Sequence, residues 1–244
     1  MENKTKKSTH ETGHAKNVAN FEDVIAFCTG YGAKYNPSLN RITIVELNSI
    51  LTNALNELNN VNTALAPWTI AINERQSAYE PISKLTTRLI SALDASGDNH
   101  KIVEDARTIA RKITGARKSK KIENPDPDDK KSISTSQQSY DSRLENFTKL
   151  KILLAEVTEY APNETELQIA TLETLISDLI AKNTAVISTT TPLSNARIER
   201  DKVLYAKSTG LVDIAYEVKK YVKSVYGTSA PEYKQISSIR FSRS

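Results

Sequence analysis

His10, Glu11 and His14 stand in the HExxH spacing. On a helix that spacing sets two imidazoles one turn apart on a zinc ion, with the glutamate as general base. The surrounding residues do not supply such a helix. The stretch is polar, carries Gly13, has no apolar face and has no recognisable third ligand downstream. His100, the one remaining histidine, falls in an expected turn. We read the match as coincidental and expect no metal, no cofactor and no catalytic residue. Cys28 lies on an apolar helix face with no basic neighbour to activate it, which is the setting of a small core residue.

Two basic stretches could neutralise phosphates. Arg107, Arg111, Lys112, Arg117, Lys118, Lys120 and Lys121 run without an intervening acid. Near the C-terminus Lys219, Lys220 and Lys223 alternate with Tyr216, Tyr221 and Tyr226 and precede Arg240 and Arg243. Cations hold a nucleic-acid backbone and tyrosines stack on bases. Against that reading, Glu123, Asp126, Asp128 and Asp129 follow the first run and cancel much of its field.

A third pattern is repeated. Ala71, Glu74 and Arg75 recur as Ala196, Glu199 and Arg200. In an antiparallel packing Glu74 could meet Arg200, and Arg75 could meet Glu199. Such a layer would set register at some cost in stability.

These residues must be positioned by helices. Ile44, Leu47, Leu51, Ala54, Leu58, Val61, Leu65, Trp68, Ile72, Arg75 and Tyr79 alternate at spacings of three and four. That is the seam of a helix packed lengthwise on others. Pro67 lies inside it and the seam keeps its phase, so one kinked helix is preferred to two, with a new helix opening at Pro67 as the alternative. Shorter helices are expected from about Asn17 to the turn at Gly30, around Leu85–Leu93, around Ile102–Ile113, and over Leu211–Val225.

A shift of 125 residues lays Tyr35-Asn36-Pro37 on Tyr160-Ala161-Pro162, Leu47 on Leu172, Pro67 on Pro192 and Glu74-Arg75 on Glu199-Arg200. With one slip, Asn20-Phe21 meets Asn146-Phe147. A matched proline, turn and charged pair in one register point to two diverged tandem copies. The expected fold is therefore all-α, an elongated antiparallel helical bundle of two such copies, each with a long Pro-kinked helix. Residues 1–16 read as a flexible polar arm, 17–114 as the first repeat, 115–135 as a charged linker or surface loop, and 136–241 as the second repeat packed with the first.

The bulk numbers bound the function classes. Lysine and arginine exceed the acids by 33 to 29, a charge excess too small to indicate nucleic acid by itself. A single cysteine excludes an internal disulfide. The chain opens without an apolar leader and holds no apolar run long enough to span a bilayer, so a cytoplasmic setting is expected. The segments NVANFEDVIAFCTGYGAKYNPS, ISTSQQSYDSRLENFTKL, SNARIERDKVLYAKSTGLVDIAYEVKKYVKSVYG and APEYKQISSI resemble an uncharacterised family of cytoplasmic, all-helical proteins of the Bacteroidota. The resemblance covers nearly the whole chain beyond the arm and implies a bacterial source without implying an activity. The expected function is a non-enzymatic structural or protein-interaction bundle that self-associates or binds a protein partner. Nucleic-acid binding through 107–121 and 216–243 is the alternative.

Overall fold

The computed structural model describes residues 13–97, 100–115 and 138–243. The fold is all-α. Its helices are α1 (His14–Gly30), α2 (Ile44–Tyr79), α3 (Ile82–Ala95), α4 (His100–Thr114), α5 (Tyr140–Ala155), α6 (Ile169–Tyr205), α7 (Leu211–Tyr226) and α8 (Pro231–Ser237). Short 3-10 turns at Asn40–Ile42 and Thr165–Leu167 lead into the two long helices.

α2 and α6 each run on past their internal proline, Pro67 and Pro192. Each helix is thus continuous across its proline. Pro81 does break the chain, and stands at the N-cap of α3. Ser139 caps α5 by accepting a hydrogen bond from the Ser142 N–H at 3.2 Å. Gly227 closes α7 at φ 85°, a left-handed backbone that glycine adopts without steric cost.

Two expectations need correction at their edges. His14, Ala15 and Lys16 are the first turn of α1 and no part of a flexible arm. His14 packs on Tyr205, which gives that turn something to bind. His100 opens α4 instead of lying in the turn before it. The arm at 1–12 and the linker beyond Gly115 lie outside the described residues.

The chain forms two compact units, and neither is one of the sequence repeats. The first joins residues up to Pro67 with those from Thr190 onward; the second is Trp68–Thr189. Each therefore takes the first helix and the leading part of the long helix from one half of the chain. The trailing part of the other long helix and the return helices come from the other half. In the first unit Phe21, Val24 and Cys28 of α1 and Leu47 and Ala54 of α2 pack with Leu204, Leu211, Val218 and Val222. In the second, Phe147, Leu150 and Leu154 of α5 and Leu172 and Leu179 of α6 pack with Tyr79, Ile82, Leu89 and Leu93. There are thus two cores, each drawn from both halves.

The two cores repeat one another in detail. The Tyr35 hydroxyl donates to the Ile42 carbonyl at 2.6 Å, and 125 residues on the Tyr160 hydroxyl donates to the Leu167 carbonyl at 2.9 Å. Both phenols are buried, and burial raises the pKa of each, that of Tyr160 to about 12. Both therefore stay protonated and hold the entry to the long helix. Phe21 and Phe147 are both buried, as are Asn20 and Asn146. In the return helices Ile82, Thr86, Leu89 and Leu93 match Leu211, Ala215, Val218 and Val222 at an offset of 129, every one of them fully buried.

Candidate functional site

The polar residues that matter fall into three places. In the first unit the end of the chain lies against α1. Asn17 is 1% exposed; its amide donates to the Ser242 carbonyl at 2.7 Å while its oxygen accepts from the Ser242 N–H at 3.0 Å. One turn later Asn20 donates to the Arg240 carbonyl at 2.6 Å. Phe241 is buried between these anchors, its ring 6.2 Å from that of Tyr216. Lys219 donates to the Ile239 carbonyl and lies over the Tyr216 and Phe241 rings. Burial lowers its pKa, since a carbonyl and two ring faces replace water around the ammonium. Arg243 pairs with Asp213.

A proton chain borders the same anchor. Asn17 also donates to the Tyr205 hydroxyl at 3.2 Å, and that hydroxyl is hydrogen-bonded to His14 Nδ1 at 2.8 Å, with the direction set by the imidazole tautomer. Burial, then the charge of Arg200, lower the His14 pKa, with Asp201 opposing them.

In the second unit Arg75 and Arg143 stand among aromatic rings. The Arg75 guanidinium lies 4.1 Å from the centre of the Tyr140 ring, and Tyr140 meets Tyr79 edge-on at 4.8 Å. Arg143 donates to the Tyr79 carbonyl at 3.2 Å, where a cation suits the negative end of α2. The Tyr79 hydroxyl accepts from Asn183 at 3.0 Å, and Asn183 also reaches Asp141 at 3.2 Å. These contacts are packing of cations on rings, with no nucleophile and base in line.

The third place is a groove of about 600 Å³ in the second unit. α3 supplies Arg88, Ser91 and Ala92 to one wall, and Tyr160, Pro162 and Glu164 line the other. Its origin is visible by comparison with the first unit. There Tyr221 fills the equivalent position, edge-on to Tyr35 at 5.3 Å and accepting the Asn36 N–H at 3.1 Å. Position 92 carries alanine, so the space beside Tyr160 stays open.

The residues singled out from the sequence distribute differently from expectation. Glu74 and Arg75 belong to the second unit and Glu199 and Arg200 to the first. Glu74 pairs with Lys182 at 3.1 Å and Glu199 with Lys202 at 3.3 Å. Arg200 pairs with its neighbour Asp201 at 2.7 Å. Each copy of the pattern lies on the trailing part of its own long helix. Arg107 is engaged by Asp94 and Glu104, and Arg111 by the Thr108 hydroxyl. Lys112 is exposed, as are Lys220 and Lys223. Arg117, Lys118, Lys120 and Lys121 lie outside the described residues, as do His10 and Glu11. Lys219 and Tyr221, offered as nucleic-acid contacts, are turned to internal work on the tail and on Tyr35. Sequence reading missed Asn17, Asn20 and the docked tail. Two asparagines on the apolar face of α1 were the available signal.

Cys28 is buried against Tyr35, and its thiol is pushed up to about 12 by burial, which outweighs the opposing influence of the Tyr35 hydroxyl. It is a core residue. Among the described residues no cluster of three or more histidines, cysteines and acids could hold a metal, and no helix is long and apolar enough to cross a membrane. Comparison with protein-family models, curated proteins and solved structures returned no match.

Proposed function

We propose that this chain is a non-enzymatic helical interaction protein whose two halves descend from one helical unit and whose second unit docks on a protein surface. The observation that carries this reading is on α6. Ile180 and Ile187 stand two turns apart on one face of that helix and are 50% and 67% exposed. The α6 sequence from Asn183 to Ala196 carries no charged residue. Single exposed apolar residues are ordinary on any surface. Two β-branched side chains in register beside an uncharged stretch are the pattern of a face that gains by being covered. Ile70 of the same unit is exposed as well. The recurrent tyrosine bonds and buried sets support common descent, and a bacterial, cytoplasmic setting belongs to the same proposal. Nucleic-acid binding is not carried forward, because Arg107, Lys219 and Tyr221 are each engaged by partners within the chain.

Light scattering coupled to size-exclusion chromatography tests the reading, together with affinity capture by the folded chain. The expected result is concentration-dependent self-association, or a captured protein, that disappears when Ile180 and Ile187 are both changed to lysine. A strict monomer at high concentration with no captured protein sinks the proposal.

A further inference from the structure

Each unit is closed by an ion pair that joins the two halves of the chain. In the first unit Arg41, within the 3-10 turn Asn40–Ile42 of the N-terminal half, makes a two-pronged contact with Glu217 of α7, both bonds 2.6 Å. In the second unit Glu166, within the corresponding turn Thr165–Leu167 of the C-terminal half, pairs with Arg88 of α3. Glu166 stands 125 residues beyond Arg41, and Glu217 stands 129 beyond Arg88. These are the offsets that superpose the buried residues of the same elements. The contact is thus in the same place in both units, with its charges reversed.

A second contact between halves behaves in a related way. Glu74 meets Lys182 in the second unit. The corresponding residues of the first unit are Glu199 and Glu57, two acids, and Glu199 turns to Lys202 instead.

We infer that the chain is a reciprocal exchange between two halves whose surface charges fit the mixed pairing and reject pairing of like halves. The partner that the N-terminal half fits is the C-terminal half, and a second copy of itself is excluded by charge. Two N-terminal halves exchanged in this manner would set Arg41 against Arg88 and Glu57 against Glu74, twice each. Two C-terminal halves would set Glu166 against Glu217 twice, partly offset by Lys182 facing Glu199. Discrimination is therefore sharper for the N-terminal half. Exposed ion pairs add little to stability. A reversed pair at equivalent sites acts on the difference between right and wrong partners, where attraction in one complex is replaced by repulsion in the other. The inference rests on the positional match of the two units and is independent of the exposed isoleucines.

The test begins with the full chain carrying one protease site within 116–137. Cut while folded, it is expected to remain a single particle of 27.1 kDa by native mass spectrometry. The cut protein is then unfolded in denaturant, refolded, and its species counted. Random pairing gives the two like pairs and the mixed pair as 1:2:1, whereas we expect N-terminal pairs below about a tenth of the mixed species. Arg88→Glu should raise the N-terminal pairs severalfold, because Arg41 then faces an acid, and should deplete the mixed species. A 1:2:1 distribution, or no response to R88E, overturns the charge argument. Halves that separate on cutting and run as folded monomers overturn the exchange itself. Should the cut chain not refold, the uncut chain carries the same question. R88E and E166R should each lower the urea midpoint and together restore it, and additive effects would overturn the inference.

Discussion

Replacing Asn17 with alanine removes the clamp on the end of the chain, and the size of the effect can be worked from its surroundings. The side chain makes two bonds to the Ser242 main chain and one to Tyr205, at 2.7, 3.0 and 3.2 Å. A net hydrogen bond contributes about 1 kcal/mol, so removing all three costs about 3 kcal/mol if the tail stays in place. The tail has a second course. It can detach, returning its main-chain groups to water and giving up the burial of Phe241, worth about 2 kcal/mol. The cheaper course sets the loss, so N17A should destabilise by about 2–3 kcal/mol. For a chain of this size that lowers Tm by roughly 4–12 °C, since each kcal/mol corresponds to roughly 2–4 °C. Urea unfolding of wild type and variant measures the energy. Hydrogen exchange at the Ser242 amide tells which course was taken. A loss under about 0.5 kcal/mol with that amide still protected would show that Asn17 does not hold the tail, and the account of the anchor would be wrong.

Three further outcomes are expected. His14 has a folded pKa below 6.5, so the unfolded chain takes up its proton first and stability is lost as pH falls through that value. The urea midpoint should drop between pH 7.5 and 5, and His14→Gln should flatten that step; an unchanged pH profile in the variant removes His14 from the cause. Native protein should leave Cys28 unmodified by a thiol reagent at pH 8 while denatured protein reacts fully, since the thiol is buried and pushed up to about 12. Rapid labelling of the folded chain would contradict its place in the core. Ala92→Tyr should fill the groove beside Tyr160 as Tyr221 does beside Tyr35, raising stability by about 1–2 kcal/mol as aromatic surface is buried. A fall in Tm would mean that the groove is already closed by neighbouring side chains.

How much of this was legible beforehand differs by element. The seam from Ile44 to Tyr79 was readable because helical period is a local property, and its unbroken phase carried α2 across Pro67. The matched residues at 125 were readable for the same reason, and the tyrosine bonds at 35 and 160 follow that register. Arg75 could be placed on the seam by its spacing, but not its contact with Tyr140, which lies 65 positions further along the chain, where no local pattern ties the two. The docked tail was invisible because Ile239 and Phe241 are too few residues to show a period. Asn17 and Asn20 read as ordinary helix positions until the tail main chain lies beside them.

The amino-acid order by itself thus determined that the chain is helical and where its long helices run. Only the tertiary structure decided which half completes which core. An apolar seam has the same sequence whether the helix folds back at its proline or runs on to a different partner, because hydrophobic contact is non-directional. Partner choice falls to contacts between residues far apart in the chain. The reversed pairs Arg41–Glu217 and Glu166–Arg88 are of that kind, and they become a pattern only when the two units stand side by side for comparison.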